Sequence, residues 1–269
     1  VPTEPTAPPV PADPGYVTSF SAAEVADLTA RFEVFEALHH QMQICNPMAE
    51  SDLDAVADHL AADLSDDGMA IDVACGYGEL LFRLAARRPR ITGVGVDLSP
   101  WMLRSAVAAV PERAPSADLA WYLSDGAQVA DHLSAQACDV ACCLGASWIW
   151  HGLNGTVRAM ASLVRPGGRV AIGDMRTRHG VTSDDLPEKF RRVTGLAEQE
   201  ALFGHHGLRI VDRIDTADEF WDAYIARTRE CATSWHSSDY VDVQREWEAD
   251  HERDLPLLTW SVWIADRVG

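Results

Sequence analysis

The chain has 269 residues, 47% of them hydrophobic, with 22 Lys and Arg against 41 Asp and Glu for a formal charge of −19. That much apolar material builds a sizeable core and excludes a disordered or fibrous protein, and the length fits one large domain or two small ones. Negative charge spread along the whole chain repels phosphate backbones and anionic lipid heads. This excludes a large nucleic-acid or membrane surface and leaves a small molecule or a protein as partner.

Residues 1–20 read as a flexible tail, because Pro2, Pro5, Pro8, Pro9, Pro11 and Pro14 remove backbone donors and hold the chain extended. Ser21 followed by Glu24 is a capping box, and it opens an amphipathic helix through Val25, Leu28, Phe32, Phe35 and Leu38. Pro47, after Cys45 and Asn46, stops that helix. A second helix is expected over 51–64, with Leu53, Val56, Leu60 and Leu64 on one face.

After Gly68 strands and helices alternate, the pattern of a parallel sheet covered on both faces. Strands read at 69–74, 92–96, 119–123, 139–144 and 169–173, with helices at 79–87, 100–110, 127–133 and 153–163 between them. Beyond Asp174 the alternation loosens into a helix at 195–204, a strand at 208–214, a long polar helical segment at 217–251 and a last strand at 257–264. No internal repeat is visible.

Cys45, Cys75, Cys138, Cys142, Cys143 and Cys231 lie mostly in apolar runs, and no pair of C-x-x-C spacings marks a zinc site. They read as buried free thiols, with a reducing cytoplasm as the default location. The N-terminus lacks a signal-peptide pattern, and no run reaches the roughly 18 apolar residues that cross a bilayer. No metal site is expected.

The most informative stretch is Ile71-Asp72-Val73-Ala74-Cys75-Gly76-Tyr77-Gly78-Glu79, an apolar strand running into a glycine turn and then a helix. Its backbone amides and the positive helix end face whatever lies beyond the strand. The next strand ends in Asp97, where a carboxylate accepts both hydroxyls of a ribose. Dinucleotide binding requires G-x-G-x-x-G, but Leu81 stands where the third glycine belongs, so the pyrophosphate fingerprint is missing.

This first motif resembles that of class I S-adenosylmethionine-dependent methyltransferases, with Ala74 where many relatives have glycine. Three further stretches match in order. Asp97-Leu98-Ser99 with Trp101-Met102-Leu103 is similar to the ribose motif, Ser124-Asp125-Gly126-Ala127 to the adenine motif, and Leu163-Val164-Arg165-Pro166-Gly167-Gly168-Arg169-Val170 to the turn into the fifth strand. The resemblance spans roughly 65–175. Residues from Gly145 onward and Glu219-Phe220-Trp221-Asp222-Ala223-Tyr224 further resemble an uncharacterised bacterial subgroup presumed to act on small molecules.

The resemblance implies a Rossmann-like α/β fold, mostly parallel with an antiparallel last strand. Residues 21–66 would form an N-terminal helical lid, and 67–269 the methyltransferase domain with a helical insertion near 217–254. It implies S-adenosylmethionine as cofactor, held by Asp72, Ala74, Cys75, Gly76, Gly78, Asp97, Leu98, Met102, Asp125, Gly126, Ala127 and Leu144. Asp97 reads alternatively as a helix cap, Asp125 as a turn former and Cys75 as packing. The reaction implied is methyl transfer to oxygen or nitrogen of a small-molecule acceptor, leaving S-adenosylhomocysteine, by a monomer or homodimer. The alternatives are non-methyl chemistry with the same cofactor (decarboxylation, hydroxylation or rearrangement) and a non-catalytic binding subunit.

Methyl transfer needs the nucleophile aligned behind the methyl carbon with water excluded, and a base only if the acceptor holds a proton. His151 and Asp174, at strand ends, are the catalytic candidates, with a solvated loop histidine as the alternative for His151. His40, Gln43, Ser147, Trp148 and Arg176 are the acceptor-side candidates. Arg176 suits an acidic acceptor or else a solvated face, and His39 with Gln43 suits a lid contact or a polar helix face.

Overall fold

The computed structural model describes residues 15–129, 133–235, 237–254 and 256–269. Among these residues eight strands make one sheet: β1 (Val17–Thr18), β2 (Met69–Val73), β3 (Thr92–Asp97), β4 (Asp118–Leu123), β5 (Cys138–Leu144), β6 (Val164–Thr177), β7 (Leu208–Asp215) and β8 (Leu258–Arg267). Their order is β1-β4-β3-β2-β5-β6-β8-β7. Every pairing is parallel except those of β8, which runs antiparallel to both β6 and β7. The expected mostly parallel sheet with an antiparallel last strand is thus the observed one. β8 is buried over its first eight residues, as a strand covered on both faces must be.

Among the described residues the helices are α1 (Ala22–His39), α2 (Glu50–Ala62), α3 (Glu79–Arg87), α4 (Pro100–Arg113), α5 (Leu153–Leu163), α6 (Leu196–His205), α7 (Asp218–Ser234) and α8 (Asp239–Asp254). The capping box at Ser21 is formed: the Glu24 N–H donates to Ser21 Oγ at 3.3 Å, and the Ser21 N–H donates to Glu24 Oε2 at 2.8 Å. One apolar core joins α2, α3 and α4 to one face of the sheet through Leu53, Val56, Leu81, Phe82 and Leu103. The other joins α5 and α6 to the opposite face through Val157, Met160, Phe203 and Trp263. α1, α7 and α8 pack on one another.

Several boundaries differ from the sequence reading. Of the tail expected over 1–20, residues 1–14 lie outside the described residues, but 15–20 do not behave as tail. Tyr16 is buried at 8% exposure, and Val17 and Thr18 pair with Tyr122 and Leu123 at the sheet edge. Two residues carry too little pattern to announce a strand. Of the lid expected over 21–66, α2 packs on α3, β6 and β8 with its apolar stripe in the core, and its Leu53 also lines the cavity described below. The segment at 217–251 is two helices, α7 and α8, separated around Ser237 and Ser238. The helix expected at 127–133 begins as a single 3-10 turn at Gly126–Gln128, and residues 130–132 lie outside the described residues. All six cysteines are free thiols. No described helix is long and apolar enough to cross a membrane.

Candidate active site

In this strand order the chain winds outward from β2 through β3 to β4, then crosses to β5 on the other side. The crevice at the carboxyl ends of β2 and β5 is where open α/β sheets bind ligands. A cavity of about 440 Å³ occupies it, bounded below by the ends of β2, β3 and β5 and above by α1, the loop after it, and α7.

The glycine turn forms its floor. Ala74 (φ 61°), Gly76 (φ 53°) and Gly78 (φ 75°) all adopt the left-handed conformation. That explains why glycine suits position 74, since a Cβ there costs on the order of 1–2 kcal/mol. Gly78 is required for a second reason. A Cβ on it would sit 2.3 Å from Trp121 Cη2, so its role is to let the turn close onto the core rather than to touch a ligand.

Asp97 ties the turn to the next strand. Its Oδ2 accepts from the Gly76 N–H and its Oδ1 from the Ser99 N–H, both at 2.8 Å. The Leu98 N–H is a third backbone donor to this carboxyl, which lines the cavity. Ser99, not Asp97, caps α4, accepting from the Met102 N–H at 3.3 Å. Burial pushes the Asp97 carboxyl above its usual range despite these backbone donors. Asp72 is 4% exposed and has no ion-pair partner among the described residues. Burial first, and the Asp97 carboxylate second, push its carboxyl up to about 8. A buried acid without a partner is unfavourable unless a cation meets it.

The cavity is also lined by Ala74, Cys75, Gly76, Leu98, Met102, Gly126 and Leu144 from the expected cofactor set, and by Gln43 and Trp148 from the acceptor set. Trp148 is 63% exposed, an unusual position for so large an apolar side chain, and stands at the cavity wall. Asp125 and Ala127 do not line it: Asp125 Oδ1 accepts from the Ala127 N–H at 2.9 Å and caps the 3-10 turn.

The catalytic candidates are not brought to the cavity. His151 is exposed and holds the left-handed end of the 3-10 turn Ser147–Trp150 at φ 62°. Asp174 points to the opposite face of β6 from Met175, which does line the cavity, and Ser147 hydrogen-bonds it there. Burial pushes Asp174 up to about 6. Arg176, on that same far face, is consumed by Ser261 Oγ at 2.7 Å and Asp215 Oδ1 at 3.2 Å. A strand that continues to Thr177 turns alternate side chains away, and the shorter strand expected from sequence concealed this. His40 packs on Trp235 with ring centroids 5.0 Å apart, outside the cavity.

The structure adds residues that sequence reasoning did not assign. Tyr77, from the turn, donates its hydroxyl to Glu36 Oε2 of α1 at 2.9 Å, and burial pushes the Glu36 carboxyl up to about 7. Tyr224 of α7 shares its hydroxyl with His39 Nε2 at 2.7 Å. Phe35, Trp221, Tyr224 and Trp260 make an aromatic wall opposite the turn. The Nε1 donors of Trp221 and Trp260 are buried without a partner. Among the described residues no Lys, Arg or His lines the cavity, whereas Asp72, Glu79 and Asp97 do.

Residues 70–168 match the methyltransferase domain family. The chain is 27% identical over 208 residues to the uncharacterized protein YjhP of Escherichia coli (strain K12), covering 74% of this chain and 79% of that one. Among solved structures it superposes on a SAM-dependent methyltransferase from Geobacter sulfurreducens in complex with S-adenosyl-L-homocysteine. The TM-score is 0.73 and the identity 23%, over 87% of this chain and 97% of that one. It superposes also on E. coli YjhP itself, with a TM-score of 0.71 and 22% identity, over 87% and 98% of the two chains. Residues 70–168 thus match a methyltransferase domain, and the chain around them has the fold of the S-adenosylmethionine-dependent methyltransferases it superposes on.

Proposed function

We propose that the chain transfers a methyl group from S-adenosylmethionine to oxygen or nitrogen of a small, uncharged or cationic acceptor carrying a flat apolar body. The observation that carries this reading is one cavity lined both by a turn flanked by Asp72 and Asp97 and by the aromatic side chains Phe35, Trp221, Tyr224 and Trp260, with no basic side chain among its described lining residues.

The residues present fit the cofactor. Asp97 lines the cavity as an acceptor suited to ribose hydroxyls, Leu98 and Met102 offer apolar cover for a base, and the Gly76 turn exposes backbone at the start of α3. Asp72 is the buried acid that lacks a cation, and the methionyl ammonium supplies one. S-adenosylmethionine provides an electrophilic sulfonium methyl. The chain's own contribution is to hold the acceptor against it and exclude water, which accounts for much of the rate in such transfers. α1, Trp148 and α7 do the excluding, and Phe35, Trp221 and Trp260 supply planar surface for the acceptor.

The charge of the cavity sets its selectivity. Glu79 is paired with Arg83 and Arg113, but among the described residues no basic side chain lines the cavity to meet a carboxylate or phosphate acceptor, and Arg176 is turned away from it. The test incubates the full chain with S-adenosylmethionine and a panel of neutral phenols and amines beside matched carboxylates and phosphomonoesters, and follows S-adenosylhomocysteine. Turnover with neutral or amine acceptors is expected. Faster turnover with the anionic set would overturn the reading, and product without S-adenosylhomocysteine would instead favour non-methyl chemistry.

A further inference from the structure

α1 and α7 meet beside the cavity, and His39 and Tyr224 make a buried polar contact between them. His39 is 0% exposed. Its Nδ1 lies 2.8 Å from the Phe35 carbonyl oxygen and its Nε2 lies 2.7 Å from the Tyr224 hydroxyl. A carbonyl only accepts, so Nδ1 carries the ring proton and Nε2 presents its lone pair. The Tyr224 O–H therefore donates to Nε2. Phe35 stacks on the imidazole with centroids 4.0 Å apart, and Trp247 meets it edge-on at 6.0 Å, so the ring is held in this orientation. Burial holds the imidazole down to about 4, which keeps it neutral near pH 7.

The consequence lies at Tyr224, which lines the cavity beside Trp221. Its one proton is committed to His39, so what its oxygen offers a bound molecule is acceptor capacity alone. We propose that Tyr224 is a specificity-determining residue that takes a hydrogen bond from the acceptor's own O–H or N–H, and that His39 is the positioning residue that fixes this polarity. The site then selects aromatic hydroxyls and amines that still carry a proton, and passes over isosteres whose heteroatom carries none. This deepens the function proposed above and rests on it.

The test uses the full chain loaded with S-adenosylhomocysteine and two probes of similar shape, phenol and anisole, with affinities measured by ligand-observed NMR. Phenol should bind the unsubstituted chain about 2- to 10-fold more tightly than anisole, the range one neutral hydrogen bond spans. In Tyr224→Phe the ratio should fall to about one. In His39→Phe it should fall as well, because the released Tyr224 O–H is then free to donate to the ether oxygen of anisole. A merely structural role for either residue would weaken both probes together and leave their ratio unchanged. Equal binding in the unsubstituted chain, no phenol binding, or a preference that survives in Tyr224→Phe would overturn the proposal. Should His39→Phe fail to fold, Tyr224→Phe decides alone. Titration with S-adenosylhomocysteine precedes each series: failure of the unsubstituted chain to bind it would sink the methyltransferase reading itself, a separate result from an altered probe ratio.

Discussion

If Asp72 meets the cofactor's ammonium, as proposed, cofactor binding releases a proton. In the unliganded chain its carboxyl is pushed up to about 8, by burial and then by the Asp97 carboxylate, so it is mostly protonated at pH 7. A ligand ammonium meeting that carboxyl favours the ionised form and expels the proton. Affinity for S-adenosylhomocysteine, which keeps the ammonium, should then rise with pH up to about 8 and level off above it. Well below that value the slope is about tenfold, or about 1.4 kcal/mol, per pH unit, and it flattens near pH 8, giving roughly 50-fold between pH 6 and pH 8. The sign for folding is opposite. An acid whose folded value lies above its unfolded value of 3.8 holds a proton that the unfolded chain has lost, so the unliganded protein loses stability as pH rises through the interval from 3.8 to about 8. Asp72→Asn should remove both slopes and raise the melting temperature of the empty protein at pH 8. Calorimetric titration in two buffers of different ionisation enthalpy counts the protons released, with about one expected at pH 6.5. Glu36, pushed up to about 7, also titrates in this range, and a slope that persists in Asp72→Asn would move the effect to it. Affinity independent of pH would refute the reasoning.

Other substitutions test other parts of the site. Asp97→Ala removes the proposed charge-assisted contacts to the ribose and the backbone hydrogen bonds from Gly76, Ser99 and Leu98. It should weaken cofactor binding about 10- to 150-fold, the range of roughly 1.5–3 kcal/mol, and lower the melting temperature. Calorimetry beside thermal unfolding separates the two effects. Gly78→Ala sets a Cβ against Trp121 at a φ of 75° and should destabilise the chain by about 1–3 kcal/mol in urea titration. Ala74→Gly relieves a strained φ of 61° but frees the unfolded chain, and should change stability by less than about 1 kcal/mol. His151→Ala, an exposed change outside the cavity, should leave S-adenosylhomocysteine formation within about 2-fold and stability within about 0.5 kcal/mol; a large loss of rate would return His151 to the site.

What the residues disclosed in advance was the part built from contiguous chain. The glycine turn, Asp97 and the small residues around Gly126 lie at strand ends, so local pattern placed them at the floor of the cavity. Its upper wall depends on contacts distant in sequence. His39 and Tyr224 are 185 positions apart, and nothing in either helix alone marks them as partners. Tyr77 lay in plain sight between two glycines, but its bond to Glu36 across 41 positions was needed to give it a role. Arg176 and Asp174 were misplaced because β6 runs on to Thr177, and alternation then decides which side chains reach the ligand side.

The most direct measurement of the central claim is a crystal structure of the full chain with S-adenosylhomocysteine. The account predicts the ligand in the cavity between the Gly76 turn and the Phe35, Trp221 and Trp260 wall, with both ribose hydroxyls on the Asp97 carboxylate and the amino group toward Asp72. A ligand bound elsewhere, or one whose ribose does not meet Asp97, would contradict it.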